Sequence, residues 1–134
     1  MPKETIIDND YCSMWYYADK KIVHHQIHKF IFGQAFYDFL LTGTALIQNN
    51  HAKKWLSDDR HVPVLRAEDI EWGAANWFPQ TQKAGWKFWA IVQPEKAVGK
   101  MTMQALLERY AKLGITAKFF TDLDEAMKWL ESQN

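Results

Sequence analysis

The chain carries one cysteine, Cys12. A single thiol closes no internal disulfide and builds no multi-cysteine zinc site, and it suits a reducing compartment. Net charge is missing too: 16 Lys+Arg stand against 16 Asp+Glu. A phosphate-binding surface usually shows as a basic stripe, so this balance argues against nucleic acid as a partner. Glycine is scarce, and Gly85 and Gly99 stand alone rather than in a phosphate loop. There is no Gly-x-Ser-x-Gly elbow of the hydrolase kind. The start, Met1 to Thr5, leads into Asp8, Asn9 and Asp10 and not into an apolar run, so no secretory signal is expected. The one membrane candidate, residues 30–47, contains Gln34 and Asp38. An aspartate at the centre of a membrane helix costs about 2.5–3.5 kcal/mol, which favours a buried amphipathic helix instead. No transmembrane segment and a cytoplasmic location are therefore expected. No repeat, low-complexity tract or Gly/Ser linker divides the chain. A single domain is expected over residues 10–132, behind a polar lead-in at 1–9.

What the chain has in abundance is aromatic side chains, 15% of residues, with seven tryptophans. Residues 11–18 and 22–28 read as two strands around an Asp19-Lys20 turn. That pairing sets Trp15 opposite His24, Ser13 opposite Gln26 and Tyr11 opposite His28 on one sheet face. Cys12, Met14, Tyr16, Val23, His25 and Ile27 share the other. Residues 33–48 read as a helix, with Phe36, Phe39, Leu40, Gly43, Leu46 and Ile47 in one apolar stripe. A short strand at 53–57 leads to the polar corner Asp58-Asp59-Arg60-His61. A helix is predicted over 68–77, ended by Pro79. The apolar run 86–92 predicts a central strand buried on both faces. A helix over 100–113, capped by Gly114, a strand over 115–120 and a last helix follow. Asp122 with Glu125 forms a capping-box pattern at the start of that last helix.

The resulting order, β-β-α-β-α-β-α-β-α, predicts an α/β domain. Its sheet is five-stranded, mixed and mostly parallel, with an N-terminal antiparallel hairpin.

The opening hairpin, Trp55-Leu56-Ser57-Asp58-Asp59-Arg60 and Glu68-Asp69-Ile70-Glu71-Trp72 together form a pattern. So do Pro79 with Ala84-Gly85, Ala90-Ile91-Val92, and Phe119-Phe120 with Ala126, Trp129 and Leu130. In these features the chain resembles the STAS/SpoIIAA-like family, the fold of bacterial anti-sigma-factor antagonists, and most of all its small stand-alone branch. The resemblance spans residues 10–132. It implies a SpoIIAA-like fold and a regulatory or protein-interaction role. Antagonists of this kind carry a phosphorylatable serine after the third strand in an Asp-x-Ser-Gly context. Here the corner reads Asp58-Asp59-Arg60-His61-Val62-Pro63 and Ser57 precedes it, so the phosphoserine switch is not expected. The wider fold class includes CRAL-TRIO-like lipid carriers, which raises an apolar ligand as the alternative.

Chemistry-bearing residues are few. His24, His25 and His28 would share an ion on a helix. On a strand, positions four apart lie roughly 13 Å apart and cannot. Ser57, Asp58, Asp59 and His61 have the composition of a hydrolytic triad, but neighbours in sequence rarely converge that way. Cys12 lies mid-strand among apolar neighbours and reads as core. Glu68, Asp69 and Glu71 are what the dipole of a first helical turn favours. No catalytic residue, metal or cofactor is expected. Trp55, Trp77 and Trp89 are assigned to the core. Trp15, Trp72, Trp86 and Trp129 exceed what one small core readily buries, which points to an interface or an aromatic-lined pocket. The candidate partner or ligand surface is Tyr11, Trp15, His24, His28, Asp58, Arg60 and Trp72. A non-enzymatic interaction module is expected, as a homodimer or with a regulatory protein partner. A small carrier with an apolar pocket between helices and sheet, of about 300 Å³ or more, is the alternative.

Overall fold

The computed structural model describes residues 3–134. Six strands lie side by side in chain order: β1 (Glu4–Asp8), β2 (Cys12–Tyr17), β3 (Ile22–Ile27), β4 (Lys54–Asp58), β5 (Phe88–Val92) and β6 (Thr116–Phe120). The first three pair antiparallel, and β3 through β6 run parallel. The α/β, mixed and mostly parallel character is as expected, but the sheet has six strands, not five. Residues 4–8, expected within the lead-in, form the extra edge strand. A bulge between Thr5 and Ile7 explains why alternation did not reveal it. Ile6 and Ile7 are adjacent in sequence, yet both pack on the core because the bulge breaks the two-residue period.

The β2–β3 register is the expected one, with Trp15 opposite His24 and Ser13 opposite Gln26. The connection is four residues long, and Lys21 takes the left-handed conformation (φ 55°) that the turn requires.

Helices α1 (Gly33–Asn50), α2 (Ala67–Trp72), α3 (Phe78–Ala84) and α4 (Ala97–Lys112) connect the parallel strands. Each strand is added on the same side of the last, so successive right-handed crossovers put all four on one face. There Phe36, Phe39, Trp77, Phe78, Met103 and Tyr110 meet Met14, Val23, Trp55, Trp89 and Ile91. Gly43 is required at the closest approach of α1, since a Cβ there would run into the Trp55 ring. The opposite face is covered by α5 (Leu123–Ser132), whose Ala126 and Leu130 close over Ile22, Leu56, Ala90 and Val92. Asp122 caps α5 by accepting from the Glu125 N–H at 3.2 Å.

Two further expectations are corrected. The helix predicted to end at Pro79 continues to Ala84. A π-turn over Gly73–Trp77, with the Phe78 N–H reaching back to the Gly73 carbonyl, joins α2 to α3. Pro79 follows at the start of α3, where its missing N–H and its ring cost least. Trp86 is not surplus: it is 1% exposed, among Trp55, Trp77, Phe78, Trp89 and Tyr110, and its indole N–H donates to the Phe88 carbonyl at 3.0 Å. Among the described residues no helix is long and apolar enough to cross a membrane.

Candidate functional site

Large apolar side chains at the surface are distributed unevenly. Among the described residues seven are exposed: Tyr11, Phe30, Phe32, Val64, Val98, Met101 and Leu113. All but Leu113 belong to the end of the molecule where the parallel strands terminate. Tyr11 precedes β2, Phe30 and Phe32 follow β3, Val64 follows β4, and Val98 and Met101 open α4 after β5. Leu113 follows α4, at the opposite end. They fall into two groups, Tyr11, Phe30 and Phe32 beside β1–β3, and Val64, Val98 and Met101 around the start of α4. Phe30 stacks on Phe32 with centroids 5.0 Å apart, the Arg66 guanidinium lies 4.8 Å over Phe32, and Val64 shares a recess with Val98. Tyr11, Phe30 and Phe32 edge a groove of about 580 Å³ between β1–β2 and the start of α1, floored by Ile7, Cys12 and Phe39. Asp38 is the one acidic side chain on its walls, and burial pushes the Cys12 thiol there up from its ordinary value.

The groove's geometry is held by a buried knot. The Asp69 carboxylate accepts from the Tyr37 hydroxyl (2.7 Å), the Gly33 N–H (3.3 Å) and two Arg66 nitrogens (2.9 Å each). Arg66 is the chief reason Asp69 is held below the usual carboxylate range, with Tyr37 and the Gly33 amide adding to it against the cost of burial. Asp69 thus caps α1 from another helix, a role its place in a first turn did not reveal.

The expected surface residues are scattered. Tyr11 stands 52% exposed on the groove rim. Trp15 is half-buried and packs on His24 at 4.7 Å. His24 is corrected as a contact residue: it is 3% exposed, because the aromatic side chains of the neighbouring strand, Trp15 and Tyr17, close over it. Burial, reinforced by His25, lowers the His24 pKa to about 3, against the pull of Asp58. His28 Nε2 lies 2.9 Å from the Ser13 hydroxyl, which in turn lies 3.1 Å from Asp8. Trp72 is half-buried on the helical side, stacked on Tyr37 at 4.0 Å and 10°.

At the corner after β4, neighbouring residues diverge. Asp58, 1% exposed, receives Arg60 through both oxygens (2.9 and 2.7 Å). Burial opposes ionisation of Asp58, but Arg60's hydrogen bonds and charge outweigh it and hold the carboxyl below its ordinary value. Arg60 also lines a polar recess of about 250 Å³ with Gln93, Pro94, Glu95, Lys100 and Thr121, at the carboxyl ends of the strands. Asp59 turns to the other face and meets His25 Nε2 at 3.1 Å. The Trp55 indole can only donate, so His25 Nδ1 is its acceptor (2.9 Å) and Nε2 carries the proton toward Asp59. Both imidazole nitrogens are engaged, which leaves none to activate Ser57. Ser57 is fully buried, its hydroxyl accepting from the Trp89 indole at 2.8 Å. The cavity beside these groups, between helices and sheet, holds about 60 Å³.

Sequence reasoning missed Phe30, Phe32, Val64, Val98 and Met101. A signal was present for two of them. Met103, Leu106, Leu107 and Tyr110 define the inner stripe of α4, and Val98 and Met101 fall off it. Comparison of the chain with family models, with curated proteins and with solved structures finds no match.

Proposed function

We propose that this chain is a non-enzymatic interaction module of the STAS/SpoIIAA-like type that works without a phosphoserine switch. The observation that carries the reading is the gathering, among the described residues, of six of seven exposed large apolar side chains at one end of the molecule. Scattered surface apolar residues are ordinary, whereas exposed aromatic side chains gathered around an apolar groove mark a contact site. Burial of Ser57 and full engagement of His25 agree with it. A photo-crosslinking residue placed at Phe32, in cells producing the protein, is expected to give a defined protein adduct. The same residue at Leu113 is expected to give none. No adduct from Phe32, or equal adducts from both sites, overturns the reading.

The groove volume of about 580 Å³ favours a second reading, a small carrier for an apolar, lipid-like molecule. It falls in the range of about 300–1,000 Å³ that small ligands occupy. The groove lies at the sheet edge. The space between helices and sheet, where such a pocket was expected, is far too small. Native mass spectrometry of freshly purified protein discriminates. A carrier shows a stoichiometric adduct that Phe39→Asp abolishes, and a clean apo mass removes this reading.

A further inference from the structure

The groove edged by Tyr11, Phe30 and Phe32 is lopsided in its polar groups. Among the described residues no lysine, arginine or histidine lines it, and Asp38 is its one acid. Asp38 and Thr42 stand one turn apart on α1. The Gln34 amide donates to Asp38 Oδ1 at 2.7 Å, which leaves Oδ2 with no hydrogen bond among the described residues. The Thr42 hydroxyl donates its proton to the Asp38 carbonyl at 2.7 Å, so toward the groove it can only accept. On the β1–β2 side, the Asn9 side-chain oxygen is taken by the Tyr11 and Cys12 amides at 2.8 and 3.0 Å. The donors on that side, the Asn9 amide nitrogen and the Tyr11 hydroxyl, are neutral.

Charges just outside the lining leave this balance in place. Asp8 and Asp10 flank Asn9, and Lys29 precedes Phe30. The positive end of α1 is met by Asp69 at the Gly33 amide, more than a turn before Asp38. Arg66 is held by Asp69 through two nitrogens and lies 3.3 Å from Glu68. Its guanidinium also sits 4.8 Å over the Phe32 ring, so the rim already receives one cation on an aromatic face. A lipid headed by a carboxylate would meet Asp38 here, with no basic side chain on the walls to receive it. An ammonium group would meet a carboxylate oxygen and exposed rings.

Resting on the reading of this groove as a carrier site, we infer that its ligand is an apolar amine, with its body on Ile7, Cys12 and Phe39 and its ammonium group at Asp38. Among lipid-like molecules the groove therefore selects by head-group charge, and fatty acids are the class it disfavours.

Titration with octylammonium, octanol and octanoate, followed by amide chemical shifts in solution NMR, tests it. The probes share one apolar chain and differ in the charge of the head. Octylammonium is expected to bind roughly three- to tenfold more tightly than octanol, and octanoate more weakly than octanol. Shifts are expected at Ile7, Tyr11 and Phe39 and not at Leu113. Asp38→Asn, an exposed position where the new amide still offers Gln34 an acceptor, is expected to remove the preference and leave octanol binding unchanged. Asp38→Lys is expected to reverse it in favour of octanoate. Octanol binding by each variant reports that the groove is intact. Octanoate binding to the wild type as tightly as octylammonium overturns the proposal without recourse to any variant. So does a preference for the ammonium that survives Asp38→Asn, or shifts confined to residues away from the groove. Octanol binding with no preference for the ammonium removes the amine and keeps the carrier. No shift with any of the probes removes both.

Discussion

His24 shows how one residue's role depends on the side of the sheet that is covered. Its ring accepts burial at the cost of its charge, and its pKa falls to about 3. In the unfolded chain an ordinary histidine binds a proton below about pH 6.5. Between those values the unfolded state holds one more proton than the folded state, so stability declines as pH falls from 6.5 toward 3, by about 1.4 kcal/mol per pH unit. His24→Gln keeps an amide for the Tyr17 hydroxyl and removes the titration. Urea unfolding at pH 6.5 and 4.5 is expected to show the wild type losing about 2–3 kcal/mol more than the variant over that interval. Equal losses would show that His24 is protonated in the fold. Asp58 acts at lower pH: its depressed carboxyl contributes stability above the unfolded value, lost as pH falls through the folded one.

At the scale of elements, the join between α1 and α2 matters most for the groove. Phe32, the residue before α1, has no side-chain cap to offer, and Asp69 supplies the missing acceptor from α2. Asp69→Ala leaves the Tyr37 hydroxyl and the Gly33 amide without their acceptor and Arg66 without its main partner. A loss of about 2–4 kcal/mol is expected in chemical denaturation. Hydrogen exchange is expected to speed up in the first turn of α1 before it does in β3–β5, because the knot holds the helix start and not the sheet. Uniform change would contradict this. The π-turn at Gly73–Trp77 is the other device at this scale. By shifting the helix just before Pro79 it lets one run of chain carry both the Trp72–Tyr37 stack and the buried Trp77 and Phe78.

For the whole molecule, the layers are unequal. Four helices cover one face and α5 alone covers the other, closing on Ile22, Leu56, Ala90 and Val92. Leu130, fully buried, has no other helix to take up its space. Leu130→Ala is therefore expected to cost about 2–5 kcal/mol. Trp129→Ala, at a half-buried position, is expected to cost less despite deleting more atoms. Thermal unfolding of the two variants checks the order, and a reversed order would mean that α5 is held by its Trp129 edge against Phe120.

The α/β alternation, the β2–β3 register, the α5 cap and the buried Cys12 were legible in the residues. Each rests on local periodicity or capping chemistry, which neighbours in sequence carry by themselves. Strand β1 was hidden because its bulge sets two isoleucines side by side. The helix beyond Pro79 was hidden because a π-turn makes room that a regular helix lacks. Of the expected surface residues, Tyr11 reached the groove, while His24 went under Trp15 and Tyr17, whose bulk on the paired strand covers its ring. The apolar end itself is built from three loops and one helix start, each adding one or two side chains that are unremarkable alone. Sequence by itself determined which segments fold and which of their faces are apolar, since that depends on spacing along one stretch of chain. Which face α5 would seal, and that six exposed side chains would meet at one end, was decided only by packing, because those distances exist only once the strands lie side by side.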